Sequence, residues 1–231
     1  MTESQPIPLV QRVDYLLARA RGRRVLHLGC TNAPYTDQSL RDGSLLHLKL
    51  RDVAAELHGT DLDSTGLATL ASLGVTNLHQ GDLVTLRDTL SSVPFDLVIA
   101  GEIIEHVPDA GAFVQSTHAV MGPHTTLIVS TVNAYCAFRL VQYAVRGRTG
   151  RAEPVHPDHV AYYSQSTLAH LLRQSGMEVT ARAFYDIGRE HLPYVRRSLA
   201  VVNRVATALA PQLADGIIVE ARWSDAGGAA V

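Results

Sequence analysis

Val25-Leu26-His27-Leu28-Gly29-Cys30-Thr31-Asn32-Ala33 decides the fold. Its first residues form a short run that reads as a buried parallel strand. The run ends in a glycine, which permits the tight turn that must follow. Three further apolar runs come next, and each closes on an acidic residue: Asp61 in His58-Gly-Thr-Asp-Leu62, Asp82 in Gln80-Gly-Asp-Leu83, and Glu102 after Gly101. Acidic groups at successive strand ends, beside a glycine turn, are how a doubly wound sheet gathers ligand atoms at its carboxyl edge, next to the reversal in strand order.

Working outward from that stretch, strands are expected at 24–29, 56–61, 76–80, 95–101, 125–131, 177–185 and 216–223. Between them helical spacing predicts helices at 8–20, 44–55, 64–73, 109–121 and 166–175, with a short one after Asp82. Residues 34–44 read as an inserted, turn-rich loop, Ser164 or Ser166 as the cap of the helix that follows, and Gly176 as its left-handed terminus. This alternation predicts an α/β fold: a seven-stranded, mainly parallel, doubly wound sheet with helices on both faces and right-handed crossovers. Residues 1–231 read as one domain with two insertions, 132–163 and 186–214, and long excursions of that kind usually cover a site or an interface.

Bulk properties exclude several classes. A formal net charge of -2 exerts no general pull on nucleic acid or on an anionic membrane. Two cysteines, Cys30 and Cys136, make neither a disulfide framework nor a metal cluster. The amino-terminal stretch lacks the charged-then-apolar pattern of a signal, and no apolar run approaches a membrane span. The expectation is a cytoplasmic protein, monomer or homodimer, with a small-molecule partner and neither nucleic acid nor membrane.

The glycine turn, the acids at 61, 82 and 102, and Gly101-Glu-Ile-Ile-Glu-His-Val107 after the fourth strand resemble class I S-adenosylmethionine-dependent methyltransferases. The similarity is greatest to the small-molecule group with Glu-His-Val at this place, which includes ubiquinone- and sugar-modifying O-methyltransferases. It covers roughly residues 22–185 and the last strand. The resemblance implies a Rossmann-like fold, S-adenosyl-L-methionine as cofactor and S-adenosyl-L-homocysteine as product. Three positions depart from the usual pattern: Thr31 and Ala33 stand where glycines are common, and His27 where an acid is common.

By this resemblance the cofactor lies against His27, Gly29, Cys30, Thr31 and Asn32, with the turn's backbone N–H groups facing it. A carboxylate at Asp61, beside Leu62, can accept both hydroxyl hydrogens of a ribose. Asp82 would accept from the adenine amino group, the Leu83 amide would donate to a ring nitrogen, and Gly101 and Glu102 would shape the methionine end. Asp61 and Asp82 each precede a helix, so a helix cap is the competing reading, and for Asp63 it is the favoured one. Asp61 stands 32 residues after Gly29, against roughly 20 in a dinucleotide fingerprint. The turn also lacks a full G-x-G-x-x-G, which argues against a nicotinamide enzyme.

At the reacting end, an imidazole titrates close to the working pH, so His106 is the candidate base that removes the acceptor's proton. A hydrogen bond within its own loop is the alternative, and Glu105 is placed to orient the ring or bind amides. The second cluster, Glu153-Pro-Val-His-Pro-Asp-His-Val-Ala-Tyr-Tyr-Ser164, resembles a loop that packs over the acceptor. It contributes His156, His159, Tyr162 and Tyr163, with Asn133 and Tyr135 joining from just beyond the fifth strand. No metal is expected, because His156-x-x-His159 shows no obvious third ligand and its prolines disfavour a helical pair. Methyl transfer to oxygen rather than nitrogen follows from analogy with the quinone and sugar enzymes. Cyclisation on the same cofactor scaffold and a non-catalytic nucleoside-binding module are the alternatives.

Overall fold

The structure, a computed structural model, describes residues 6–149, 158–186 and 197–224. Its strands are β1 (Leu9–Val10), β2 (Arg24–Leu28), β3 (Glu56–Asp61), β4 (Leu78–Gln80), β5 (Leu97–Gly101), β6 (Thr126–Val132), β7 (Met177–Tyr185) and β8 (Gly216–Trp223). Its helices are α1 (Arg12–Ala20), α2 (Thr36–Arg41), α3 (Leu46–Arg51), α4 (Ser64–Ser72), α5 (Arg87–Leu90), α6 (Ala110–Thr117), α7 (Ala137–Arg146), α8 (Gln165–Gln174) and α9 (Arg197–Leu209). The strands form one sheet in the order β1-β7-β8-β6-β5-β2-β3-β4. All neighbouring pairs are parallel except β6–β8 and β7–β8. The order reverses at β2, which lies between β5 and β3, and there the sequence places its glycine turn.

Among the described residues the sheet has eight strands rather than seven. The extra one is β1, whose Leu9 and Val10 pair with Phe184 and Tyr185 at the edge. Leu9, Val13, Leu16 and Leu17 keep helical spacing, and that spacing hides a two-residue strand; the helix itself starts only at Arg12. Residues 34–44 also hold more structure than a turn-rich loop, since α2 occupies Thr36–Arg41 and buries Thr36 and Ser39. The capping expectations agree with the structure. Asp63 accepts from the Thr65 amide at the start of α4, Ser164 forms a reciprocal capping box on α8, and Gly176 takes a φ of 92° after it.

Strand alternation divides the core in two. Leu26, Leu28, Val98, Ala100, Leu127, Val129 and Val219 point to one face, where Leu90, Val114, Leu168 and Leu172 from α5, α6 and α8 cover them. Val25, Leu97, Ile99, Ile128 and Ile218 point to the other, beneath Leu16 and Ala20 of α1 and Leu50 of α3. Helices therefore cover both faces. Glu220, buried on β8, fastens α1 to that second face through the Tyr15 hydroxyl and the Arg19 guanidinium.

His27 shares the second face with Val25. Its Nδ1 lies 3.2 Å from Nδ1 of the buried His47 on α3, so one ring donates, the other accepts, and both are neutral. Burial pushes the His47 imidazole down to about 4, and His27 is also held well below its ordinary value. The unfolded chain takes up these protons near pH 6.5 while the folded chain resists. Stability is thus full above that pH and falls as the solution is acidified toward about pH 4, by about 3 kcal/mol for His47 alone. Urea unfolding between about pH 7 and pH 5 should lose midpoint more steeply in the native protein than in His47→Gln. Parallel lines would refute the assignment.

Candidate active site

Gly29 ends β2 at a φ of +66°, and a Cβ there would lie 3.0 Å from Cδ1 of Ile103, so the turn demands glycine for both conformation and space. The amides of Gly29 and Cys30 donate to the Thr60 carbonyl at 2.8 and 3.1 Å. The Thr31 amide and hydroxyl donate to Oδ2 of Asp61 at 2.9 and 2.8 Å, and Oδ1 of Asp61 accepts from the Asp63 amide at 3.0 Å. These three turn amides therefore knit the end of β2 to the end of β3, instead of facing a ligand. Thr31, standing where a glycine is common, supplies the hydroxyl that steadies the half-buried Asp61. Asn32 follows at a φ of +64° with its amide on the Ser39 hydroxyl at 2.6 Å. Leu62, next to Asp61, is 73% exposed and offers an apolar surface at the strand ends.

Two residues expected here point elsewhere. His27 is buried among the α3 side chains and bonded to His47, so its side chain does not reach the carboxyl edge. Cys30 is buried against Gly59, and burial pushes its thiol up to about 12, which makes it a packing group. At the end of β4, Gly81 has a φ of +141° and a Cβ there would meet the Thr85 hydroxyl. Oδ1 of Asp82 accepts from the Thr85 amide and hydroxyl at 2.8 and 2.9 Å, so the carboxylate caps the local turn and is held below the usual range. The side chain of Leu83 enters the main core, which leaves its backbone as the part that can meet a ligand.

Beyond β5, Glu102 adopts a φ of +55°, unusual for a residue with a Cβ and the kind of strain that concentrates at functional sites. Two distant residues hold it. Tyr185, at the carboxyl end of β7, donates its hydroxyl to Oε1 at 2.8 Å, and the Arg12 guanidinium of α1 stands 3.5 Å from Oε2. Tyr185 fits only because its partner in the ladder is Gly216, where any Cβ would overlap the phenol ring. Neither Arg12 nor Tyr185 carries a local sequence signal, because each lies more than eighty residues from Glu102 along the chain.

The next turn, Ile104–His106, turns Glu105 inward and His106 outward. Glu105 is 1% exposed, and among the described residues neither of its carboxylate oxygens makes a well-formed hydrogen bond. Burial first, and the neighbouring Glu102 carboxylate second, push its carboxyl up to about 7. The acceptor-side loop docks on this turn: the Val160 and Ala161 amides donate to the Glu105 carbonyl at 2.8 and 3.3 Å. Nδ1 of His106 lies 3.2 Å from the Asp158 carbonyl, and its ring meets His159 edge-on at 4.6 Å. Glu105, His106 and His159 thus bring one ligand atom each within 4.8 Å of one another. Tertiary structure supplies the neighbours of His159 that local spacing did not show.

The remaining acceptor-side residues divide. Tyr162 stacks at a tilt beside His159, Tyr163 bridges to Asn133 in parallel, and Tyr135 is exposed. Asn133 is a correction: it is buried, its amide nitrogen donates to the Gln212 and Ala214 carbonyls at 2.9 Å, and its oxygen accepts from the Tyr135 amide. Its side chain latches the second insertion to the end of β6, with both amide hydrogens spent on backbone carbonyls. His156 lies outside the described residues. A cavity of about 260 Å³, lined by His47, Arg51, Glu56 and Asn77, opens at the amino-terminal end of β3 and touches none of the residues named above for the carboxyl edge.

With this geometry in place, comparison with known proteins identifies the class. Residues 3–182 match the family model for the methyltransferase domain, and the chain belongs to that family. It is 28% identical over 214 residues to the ubiquinone biosynthesis O-methyltransferase of Xylella fastidiosa strain 9a5c, covering 87% of this chain and 80% of that one. A probable S-adenosylmethionine-dependent methyltransferase of Mycolicibacterium smegmatis is 28% identical over 180 residues, covering 77% and 61%. Among solved structures, an S-adenosylmethionine-dependent methyltransferase from Archaeoglobus fulgidus superposes with a TM-score of 0.55 at 17% identity, covering 91% and 94%. The cyclase SpnF superposes equally well, at 0.55 and 19% identity over 92% and 80%, so the fold alone does not separate methyl transfer from ring closure. The protein is an S-adenosylmethionine-dependent methyltransferase with the Rossmann-like fold of its class.

Glu105 gives a stability test. Its folded carboxyl titrates above the unfolded one, so the fold carries no penalty below about pH 4.5 and the full penalty above about pH 7. Glu105→Gln should therefore unfold later than the native protein at pH 8, by about 2–3 kcal/mol, and with it at pH 4. A variant no more stable at pH 8 would show that the carboxyl is ionised at little cost.

Proposed function

We propose that the protein methylates an oxygen of a small-molecule acceptor, and that Glu105, His106 and His159 form the acceptor end of the site. One observation carries this reading: a buried, near-neutral carboxyl and two imidazoles converge where the loop 158–163 closes over the carboxyl end of β5. The similarity to enzymes named as ubiquinone biosynthesis O-methyltransferases favours oxygen.

The residues suit the cofactor. Asp61, fixed by Thr31 and by the Asp63 amide, keeps acceptor capacity on Oδ1 for a ribose hydroxyl, and exposed Leu62 lies beside it for a flat base. Glu102 and Arg12 present opposite charges side by side, which matches the ammonium and carboxylate of a methionine end. When bound, S-adenosylmethionine supplies a methyl group already activated by its sulfonium. The protein's work is then to align the acceptor and take its proton. His106, exposed and steadied through Nδ1 by the Asp158 carbonyl, offers Nε2 to the acceptor hydroxyl. Glu105, which ionises near neutrality, stabilises the imidazolium that results.

Incubation with S-adenosylmethionine and a panel of phenols and sugar alcohols, read by mass spectrometry, should add one methyl per S-adenosylhomocysteine released. A product of unchanged mass would mean cyclisation instead. His106→Ala should lower turnover by about 10²–10⁴-fold while leaving cofactor affinity intact; near-normal turnover would make the histidine structural. Tyr185→Phe removes a hydrogen bond to a charged group, worth about 1.5–3 kcal/mol. It should weaken S-adenosylmethionine binding in calorimetry by roughly ten-fold or more, and unchanged affinity would remove Glu102 from the cofactor site.

A further inference from the structure

The two helices of the insertions are built inside out. An amphipathic helix on a globular protein turns its apolar stripe to the core. In α7 the inward residues include Arg139, whose guanidinium donates to the side chain and carbonyl of the buried Asp215 at 2.7 and 3.0 Å, while Leu140, Val141, Tyr143 and Val145 are exposed. In α9 the buried residues are Asn203 and Thr207, and Asn203 donates to Asp186. The stripe Val201, Val205 and Leu209, spaced by four, faces solvent, with Leu209 82% and Val145 74% exposed. Single exposed apolar residues are ordinary. Two helices that touch each other and both reverse their faces present a surface made for something apolar.

The charge on these helices states what that something is. Residues 137–149 and 197–209 contain five arginines and neither Asp nor Glu, in a chain whose formal net charge is -2. Arg139 is spent on Asp215, whereas Arg146, Arg148, Arg197 and Arg204 are all exposed. A second copy of this chain would set like charges against like across a two-fold contact. An anionic lipid surface satisfies both features: valine, leucine and tyrosine enter the headgroup boundary while arginines remain at the phosphates.

We propose that α7 and α9 form a peripheral docking surface for anionic membranes, with the helices lying in the plane of the interface. No helix among the described residues is long and apolar enough to cross a membrane, so the contact is with one leaflet. The surface follows directly from the Asn133–Tyr135 loop at the end of β6, and an apolar acceptor held in that leaflet would lie near the acceptor end of the site. The docking itself is independent of the acceptor's identity.

The test is sedimentation of the full-length protein with vesicles of phosphatidylcholine alone or mixed with phosphatidylglycerol. Binding should require the anionic lipid, fall with added salt, and drop by at least roughly ten-fold in the double variant Val145→Asp, Leu209→Asp. Replacing Arg146, Arg148, Arg197 and Arg204 by Gln should cost about five-fold for each charge. Both variants alter exposed residues outside the site, so unchanged thermal unfolding and cofactor affinity confirm that they are folded. Three results would overturn the proposal: no binding to anionic vesicles at low salt, equal binding by the double variant, or a concentration-dependent dimer that the same variant abolishes. The last would make a second copy the occupant. A complex with an acidic protein that forms while vesicles stay unbound would overturn it as well.

Discussion

The central parallel strand has to stop, and the donors beyond its end have to be satisfied without a ladder. In this protein Thr60 and Asp61 take them. One carbonyl accepts two successive amides and one carboxylate accepts a third together with its hydroxyl, so the ends of β2 and β3 are fastened before any ligand arrives. Buried backbone N–H groups are almost never left unpaired, and that requirement sets the path of the Gly29 turn. The turn in turn places Asp61 at the lip of the edge, admits Ile103 against Gly29, and leads to Asn32 and the α2 segment. The carboxylate that reads as a ligand group is thus also a structural one, held by Thr31.

Glu102 shows the same economy on the next strand. Its backbone conformation is costly, and the surrounding residues over-determine it: a phenol from β7, a guanidinium from α1, and a glycine on β8 that makes room for the phenol. Three elements far apart in sequence meet at one carboxylate because β8 pairs antiparallel with both β6 and β7, which holds β7 parallel to β6 and one strand removed from it. Glu105, three residues on, is left in low dielectric next to that anion, and its raised carboxyl is the electrostatic result. A fully charged pair of carboxylates so close would be expensive, and Glu105 accordingly holds its proton up to about pH 7.

Much of the fold was legible because parallel strands are short apolar runs and helices repeat at their own period. β3, β7 and β8 run as read, and the elements that were read follow one another in the expected order. The misses have a common cause. β1 is two residues long and lies inside a helical pattern, and α2 is a largely polar helix of six residues, tied through Ser39 to Asn32. Neither length nor periodicity can carry a signal that small.

The sequence by itself determined the architecture, the glycine turn and the acidic strand ends, since these depend on residue type and on spacing along a few residues of chain. Only the tertiary structure decided which way the side chains serve. His27 pairs with a histidine on α3 rather than facing the edge, and Asn133 spends its amide on carbonyls about eighty residues away. His159 finds Glu105 and His106 across a gap of more than fifty residues, and Glu102 finds Tyr185 across eighty-three. A hydrogen bond reaches about 3 Å, so its partners are set by the path of the backbone through space, and that path is a property of the whole packed chain.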